Sequence, residues 1–308
     1  MSAPTEESPS QDEPAPSGEE PYPAPGVPTP EGGDGVGPGY PPPGEPAPSE
    51  PCLPAEPQEF EFQSGDGTTL TGTYYPPKTC GAPVVVLMHQ FSSDQTSWVD
   101  LALWLQNRTD STTFTGGILA MPALQYEWFP IAEDLSCGVL TFDFRGHGKS
   151  ESAPTTDEGL LMDARAAVAF ARTLEGIDPN RVITMGASIG ADGAVDACVS
   201  LDGSTVAAAQ EDQGCIGAMS FSPGNYLGVN YTGAANALLK APHDAVIYCL
   251  AAENDGGSPA ACNSVSGDDY KPVIYPGNDH GMALIQPGRD PAVGQLVLDF
   301  LLESMRLK

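Results

Sequence analysis

From about residue 58 onward the chain alternates short, continuously apolar runs with longer segments whose apolar residues recur three or four positions apart. PVVVLMHQ (Pro83 to Gln90), GVLTFDF (Gly138 to Phe144) and RVITMGAS (Arg181 to Ser188) are runs of the first kind. So are CIGAMSFSP from Cys215, AVIYCLAAEND from Ala245 and KPVIYPGNDH from Lys271. Their length, β-branched content and bounding Gly or Pro predict strands buried on both faces of a parallel sheet. Between them, DEGLLMDARAAVAFARTLEG (Asp157 to Gly176) has helical spacing, acids at its start and a glycine near its stop. IGADGAVDACVSL reads as a helix of small residues, and DPAVGQLVLDFLLESMRL as a closing amphipathic helix. EFEFQSGDGTTLTGTYYPP alternates apolar and polar residues around Gly65-Asp66-Gly67, which predicts a β-hairpin. Strands alternating with helices after such a start predict an α/β fold: a doubly wound, mostly parallel sheet with helices on both faces. No repeat of 20 to 50 residues interrupts the pattern.

Composition changes the picture at the N-terminus. Residues 1–58 hold 18 of the 32 prolines and 11 acidic residues, with no Lys or Arg. Such a segment buries too little apolar surface to offset its ordering entropy, so 1–58 is expected to be a disordered linker and 59–308 the domain. The chain carries a net charge of −29, of which −18 falls on the domain. This acidity argues against nucleic-acid partners and against anionic membrane surfaces. No apolar run reaches the ~18 residues of a membrane span. The first residues lack a basic region followed by an apolar core, so no signal peptide is read there. Seven cysteines in a chain with a stalk-like tail nevertheless point to an oxidising compartment. The expectation is an extracellular or cell-surface monomer whose signal has been removed from this sequence.

The chemistry concentrates at Gly-Ala-Ser-Ile-Gly, Gly186 to Gly190, where a predicted strand meets a predicted helix. A turn that tight strains its central residue and exposes the side chain, and bulky neighbours would clash. The helix N-terminus that follows favours developing negative charge. Ser188 is therefore the candidate nucleophile. In this arrangement the acid and the histidine follow the serine in that order. Of the four histidines, His243 and His280 lie after Ser188. His280 sits just past a strand end, where a base reaches back over the sheet, whereas His243 sits in a polar loop. Asp255, at the end of another strand, is the candidate acid, with Glu253 as the alternative. The His and Cys residues have no zinc spacing, so no metal or cofactor is expected.

These motifs resemble those of the α/β-hydrolases, most closely the dienelactone-hydrolase-like and small serine esterase branch. The resemblance runs from about Glu59 to Leu307 through LMHQFSSDQTSW, FDFRGHGKS, GASIGA, AAEND and GNDHG, all in the family's order. MHQF looks like the family's His-Gly-x loop, with Gln90 in place of the usual glycine. The resemblance implies an oxyanion hole from the backbone N–H groups of Phe91 and Ile189. It also implies that Arg145 and His147, in DFRGHG, hold a turn and do not catalyse. The implied activity is ester hydrolysis through an acyl-enzyme, without a cofactor, on a small-molecule or polymeric ester, including aryl and polyester substrates. A peptidase or amidase of the same fold, or a non-catalytic binding member, are the alternatives.

The connection from Ser222 to Asp244 is too short for the large helical cap that many relatives carry, so the site is expected to be open. The extra length lies instead in Arg108 to Tyr126, bordered by Trp98, Trp104 and Trp128, within the segment Val99 to Tyr126. Together with Gln90 these tryptophans are expected to line the substrate site as an aromatic rim, and the segment to set acyl preference. Position along the chain suggests bridges between Cys52 and Cys80, Cys198 and Cys215, and Cys249 and Cys262, with Cys137 as a buried thiol, although six cysteines allow 15 pairings that sequence does not fix.

Overall fold

The computed structural model describes residues 52–108, 131–132, 135–199, 214–240 and 243–307. Most of the expected linker and most of the segment that follows Trp104, Trp128 included, lie outside the described residues.

The apolar runs form one eight-stranded sheet. Its strands are β1 (Gln58–Gln63), β2 (Thr69–Tyr75), β3 (Ala82–Met88), β4 (Gly138–Phe142), β5 (Ile177–Ala187), β6 (Gly217–Phe221), β7 (Val246–Ala252) and β8 (Tyr270–Tyr275). The spatial order is β1-β2-β4-β3-β5-β6-β7-β8. β1 and β2 pair antiparallel, β2 pairs antiparallel with β4, and all later pairs are parallel. The hairpin closes where Ser64 N–H donates to Thr68 O at 2.8 Å, with Gly67 at φ +87°. The chain runs one way from β3 to β4 and the other way from β5 onward. The crevice beyond the carboxyl ends of β3 and β5 is thus the switch point where open α/β sheets place ligands.

Among the described residues six α-helices cover the faces: α1 (Val99–Gln106), α2 (Asp157–Ala171), α3 (Ile189–Asp196), α4 (Tyr231–Leu238), α5 (Ser258–Asn263) and α6 (Val293–Ser304). Side chains alternate across a strand. Val84, Val86 and Met88 accordingly enter one core with residues of α2, α3 and α4. Val85 and Leu87 enter a second core with residues of α1 and α6. All five are fully buried, which is why the run is continuously apolar. Thr156 caps α2 by accepting from Gly159 N–H at 3.1 Å, ahead of Asp157 and Glu158.

Arg145 is buried and fastens the start of the fold to its middle. It donates to both oxygens of Asp163 on α2 and, across the hairpin turn, to Asp66 and Ser64. Asp66 is held well below the usual carboxylate range by this guanidinium.

Disulfides join Cys52 to Cys80, Cys198 to Cys215 and Cys249 to Cys262. Cys137 is a buried free thiol, pushed up to about 12 by burial.

The tryptophans require a correction. Trp98 is 1% exposed and Trp104 7%, both within the core beneath α1, and Trp98 meets Phe221 at 6.3 Å. A 3₁₀ turn over Gln95–Trp98 runs directly into α1 and turns Trp98, Leu101, Ala102 and Leu105 onto the sheet. These two side chains pack the fold and form no substrate rim. Among the described residues no helix is long and apolar enough to cross a membrane.

Candidate active site

β5 ends at Ala187, and the chain reverses into α3 within one residue. That residue, Ser188, has φ +54° and ψ −116°, a conformation L-residues rarely adopt. Both flanking glycines are sterically required. A Cβ on Gly186 would lie 2.0 Å from Gly190 O, and one on Gly190 would lie 2.2 Å from Met88 O. The turn presses against the end of β3, and only hydrogen atoms fit there.

His280 follows β8 and Asp255 follows β7. His280 Nε2 lies 2.8 Å from Ser188 Oγ, and His280 Nδ1 lies 2.7 Å from Asp255 Oδ1. A carboxylate accepts, so the imidazole proton sits on Nδ1 and Nε2 is left to accept from the serine hydroxyl. Ser188 and Asp255 are each 8% exposed. Glu253 is exposed and is not in this line. His243 precedes β7 and packs on Gly214, at the opposite ends of the strands.

Ile189 N–H belongs to the first turn of α3, whose N–H groups have no partner inside the helix. Phe91 N–H donates no hydrogen bond within the described residues. Its direction is set by the preceding carbonyl. Gln90 O accepts from His89 Nδ1 at 2.8 Å, Ser93 N at 3.0 Å and Ser93 Oγ at 3.2 Å. A planar trans peptide then points Phe91 N–H the opposite way.

His89 is fully buried, and its Nε2 accepts from Phe144 N–H at 3.0 Å, which leaves Nδ1 as the donor to Gln90 O. Burial pushes its pKa down to about 4 and keeps the ring neutral. The ring of His147 lies against the 51%-exposed Phe91, with Nε2 2.7 Å from Phe91 O and Nδ1 2.9 Å from Arg145 O.

Gln90 lies between the oxyanion loop and the loop of His280. Its Oε1 accepts from Met282 N–H at 3.0 Å and its Nε2 donates to Ser92 Oγ at 3.1 Å. Both ends of the amide are bound to the protein.

The sequence also left Tyr226 unmarked. Its ring, 37% exposed, stands perpendicular to His280 at 6.4 Å. The loop that carries it is held by fully buried Asp192, which accepts from Gly224 N–H at 2.8 Å and Tyr226 N–H at 2.5 Å. Burial pushes Asp192 up to about 6 against these N–H groups. An acid inside a helix of small residues was the available signal. Beyond Tyr226 lies an open depression of about 450 Å³ lined by neutral polar groups, among them Asn225, Asn230, Thr232 and Ser264. Among the described residues no three His, Cys, Asp or Glu side chains are grouped to hold a metal ion.

No family model matches the chain. It is 27% identical over 154 residues to the uncharacterized protein YfhR of Salmonella typhi, covering 47% of this chain and 43% of YfhR. It is 29% identical over 141 residues to the quorum-quenching protein AidA of Acinetobacter baumannii, covering 45% of this chain and 38% of AidA. The chain thus spans less than half the length of these curated relatives. Among solved structures it is similar to the esterase Pf2001 of Pyrococcus furiosus, with a TM-score of 0.53 at 14% identity, covering 80% of this chain and 92% of that one. It is also similar to the α/β hydrolase GrgF of Penicillium sp. sh18, with a TM-score of 0.55 at 15% identity, covering 82% and 100%. With its strand order, its strained serine turn and these neighbours, the chain carries the α/β-hydrolase fold.

Proposed function

We propose that this protein is a serine hydrolase that cleaves carboxylic esters through an acyl-enzyme. One observation carries the reading: Ser188, His280 and Asp255 form a single hydrogen-bonded line at the switch point of the sheet. Ser188 Oγ attacks the ester carbonyl and its proton passes to His280 Nε2. Asp255 keeps the imidazole in the required tautomer and stabilises the imidazolium. Phe91 and Ile189 N–H groups receive the oxyanion, each worth about 10²–10³ in rate by analogy with well-studied oxyanion holes. His280 then protonates the departing alkoxide, and a water attacks the acyl-enzyme by the reverse sequence to release the acid and restore Ser188.

The connection after β6 supplies only the eight-residue helix α4, which packs against α3, so the cleft is read as open to aryl and polymeric esters. Three disulfides fit an oxidising, extracellular or cell-surface location. The test is a panel of p-nitrophenyl esters beside peptide anilides, with wild type and Ser188→Ala. Ester turnover that disappears in the variant, without anilide cleavage, supports the reading. Activity that survives Ser188→Ala overturns it, and anilide cleavage in preference to esters makes the protein an amidase.

A further inference from the structure

The loop that carries His280 crosses the carboxyl end of β5 and is held on both sides. Gly281 N–H donates to Ser222 Oγ at 2.8 Å, and Met282 N–H donates to Gln90 Oε1 at 3.0 Å. Ser222 follows β6 and Gln90 follows β3, the two strands that flank β5. Consecutive N–H groups just after the histidine are thus taken by side chains from opposite sides of Ser188.

Each anchor is built in. Ser222 is fully buried at φ +61°, and its own N–H is bound to Leu250 O at 2.8 Å. Gly281 turns at φ +58°, and a Cβ there would lie 2.3 Å from Gln90 Oε1, so glycine and glutamine fit one another. The far end of the Gln90 amide is tied to Ser92 Oγ. The main-chain carbonyl of the same residue, held by His89 and Ser93, aims Phe91 N–H. One residue therefore touches both halves of the machinery. Its side chain grips the loop of the base, and its peptide orients an oxyanion donor.

We propose that Gln90 is a positioning residue that locks the His280 loop to the oxyanion loop, setting the base and the oxyanion donor in register across Ser188. The proposal rests on Ser188 and His280 acting as nucleophile and base. Without the Gln90 amide, Met282 N–H loses its acceptor and the loop loses its tie to the β3 side. His280 then samples positions off the Ser188–Asp255 line, and a displacement of about 1 Å costs on the order of 100-fold in rate. A residue that acts through the His280 loop lowers kcat and leaves KM unchanged.

The experiment compares wild type with Gln90→Met, which keeps the length and apolar stem, and with Gln90→Ala. Gln90→Glu keeps an oxygen acceptor for Met282 N–H. Kinetics on p-nitrophenyl acetate are read beside the downfield NMR signal of the His280 Nδ1 proton bound to Asp255. Gln90→Met and Gln90→Ala are expected to lose about 10–100-fold in kcat at unchanged KM, with the downfield signal broadened or lost. Gln90→Glu is expected to retain the signal. A kcat within twofold of wild type with an unchanged signal, in either variant that lacks the acceptor, overturns the proposal. A raised KM with unchanged kcat also overturns it and makes Gln90 a substrate contact. Parallel Ser188→Ala kinetics separate the two readings. An inactive Ser188→Ala beside a normal Gln90→Met refutes only the positioning role, whereas an active Ser188→Ala refutes the hydrolase reading itself.

Discussion

Asp196 is a carboxyl group that the fold stabilises poorly, and replacing it should make the protein more stable. It lies at the end of α3, fully buried, and neither of its oxygens has a hydrogen-bond partner among the described residues. Burial, reinforced by the charge of Asp192 one turn earlier, raises its pKa from 3.8 to about 8. The sign follows from linkage. The unfolded chain releases this proton near pH 3.8, and the folded protein keeps it until about pH 8. In that window the folded state binds more protons, so stability falls as pH rises. At pH 7 the gap is about 3 pH units, and at about 1.4 kcal/mol per unit the side chain costs about 4 kcal/mol. Asp196→Asn has nearly the same shape and no proton to hold. Allowing for the buried amide donors of Asn, a gain of about 2–4 kcal/mol at pH 7 is expected. For a domain of this size that is on the order of 5–15 °C in melting temperature. The assay is thermal and urea unfolding of both proteins from pH 4 to pH 8. The advantage of the variant should be small at pH 4 and grow steadily to pH 8. A difference that is flat across this range, or a variant less stable at pH 8, would refute the buried-carboxyl argument.

His280→Ala is expected to lower kcat/KM for esters by more than about 10³-fold. His243→Ala, at the opposite ends of the strands, should leave it within about twofold, as initial rates on one p-nitrophenyl ester would show. Gly190→Ala drives a Cβ to 2.2 Å from Met88 O and is expected to cost at least about 3 kcal/mol in urea unfolding. Gly257→Ala, with open space at its Cβ and φ −86°, should stay within about 0.5 kcal/mol of wild type. The pKa of His89 falls from 6.5 to about 4 on folding, so the unfolded chain takes up the extra proton between these values. Stability contributed by neutral His89 is complete above pH 6.5 and is lost, by about 3 kcal/mol in all, as pH falls to 4. Asp192 and Asp196 act with the opposite sign in that window, so the measurement is the difference between wild type and His89→Gln. A difference that does not change between pH 6.5 and 4 would show that His89 is not held neutral by burial.

Strand identity was legible because each central strand is buried on both faces: every residue from Ala82 to Met88 is apolar and buried, so the run stands out without reference to its neighbours. The serine turn was legible because its constraint is local: a reversal within one residue leaves room only for glycine at positions 186 and 190. The order of Ser188, Asp255 and His280 could be read along the chain, whereas six cysteines allow 15 pairings and only the fold brought each pair together.

What the chain does between those points depended on partners far away in sequence. Trp98 and Trp104 border a long connection, and only the docking of α1 on the sheet turned them into the core. The short helices α4 and α5 carry weak periodic signals and are held by packing on their neighbours. Gln90 meets Met282 across 192 positions, and His280 meets Ser188 across 92. His89 gained its tautomer, and Asp192 its hold on the Tyr226 loop, from backbone groups brought near by other strands. Periodicity reports which face of an element is buried. Where a side chain points after its strand ends is set by the loop's backbone angles and by atoms from other strands. The site was therefore named by sequence order and assembled only by the sheet.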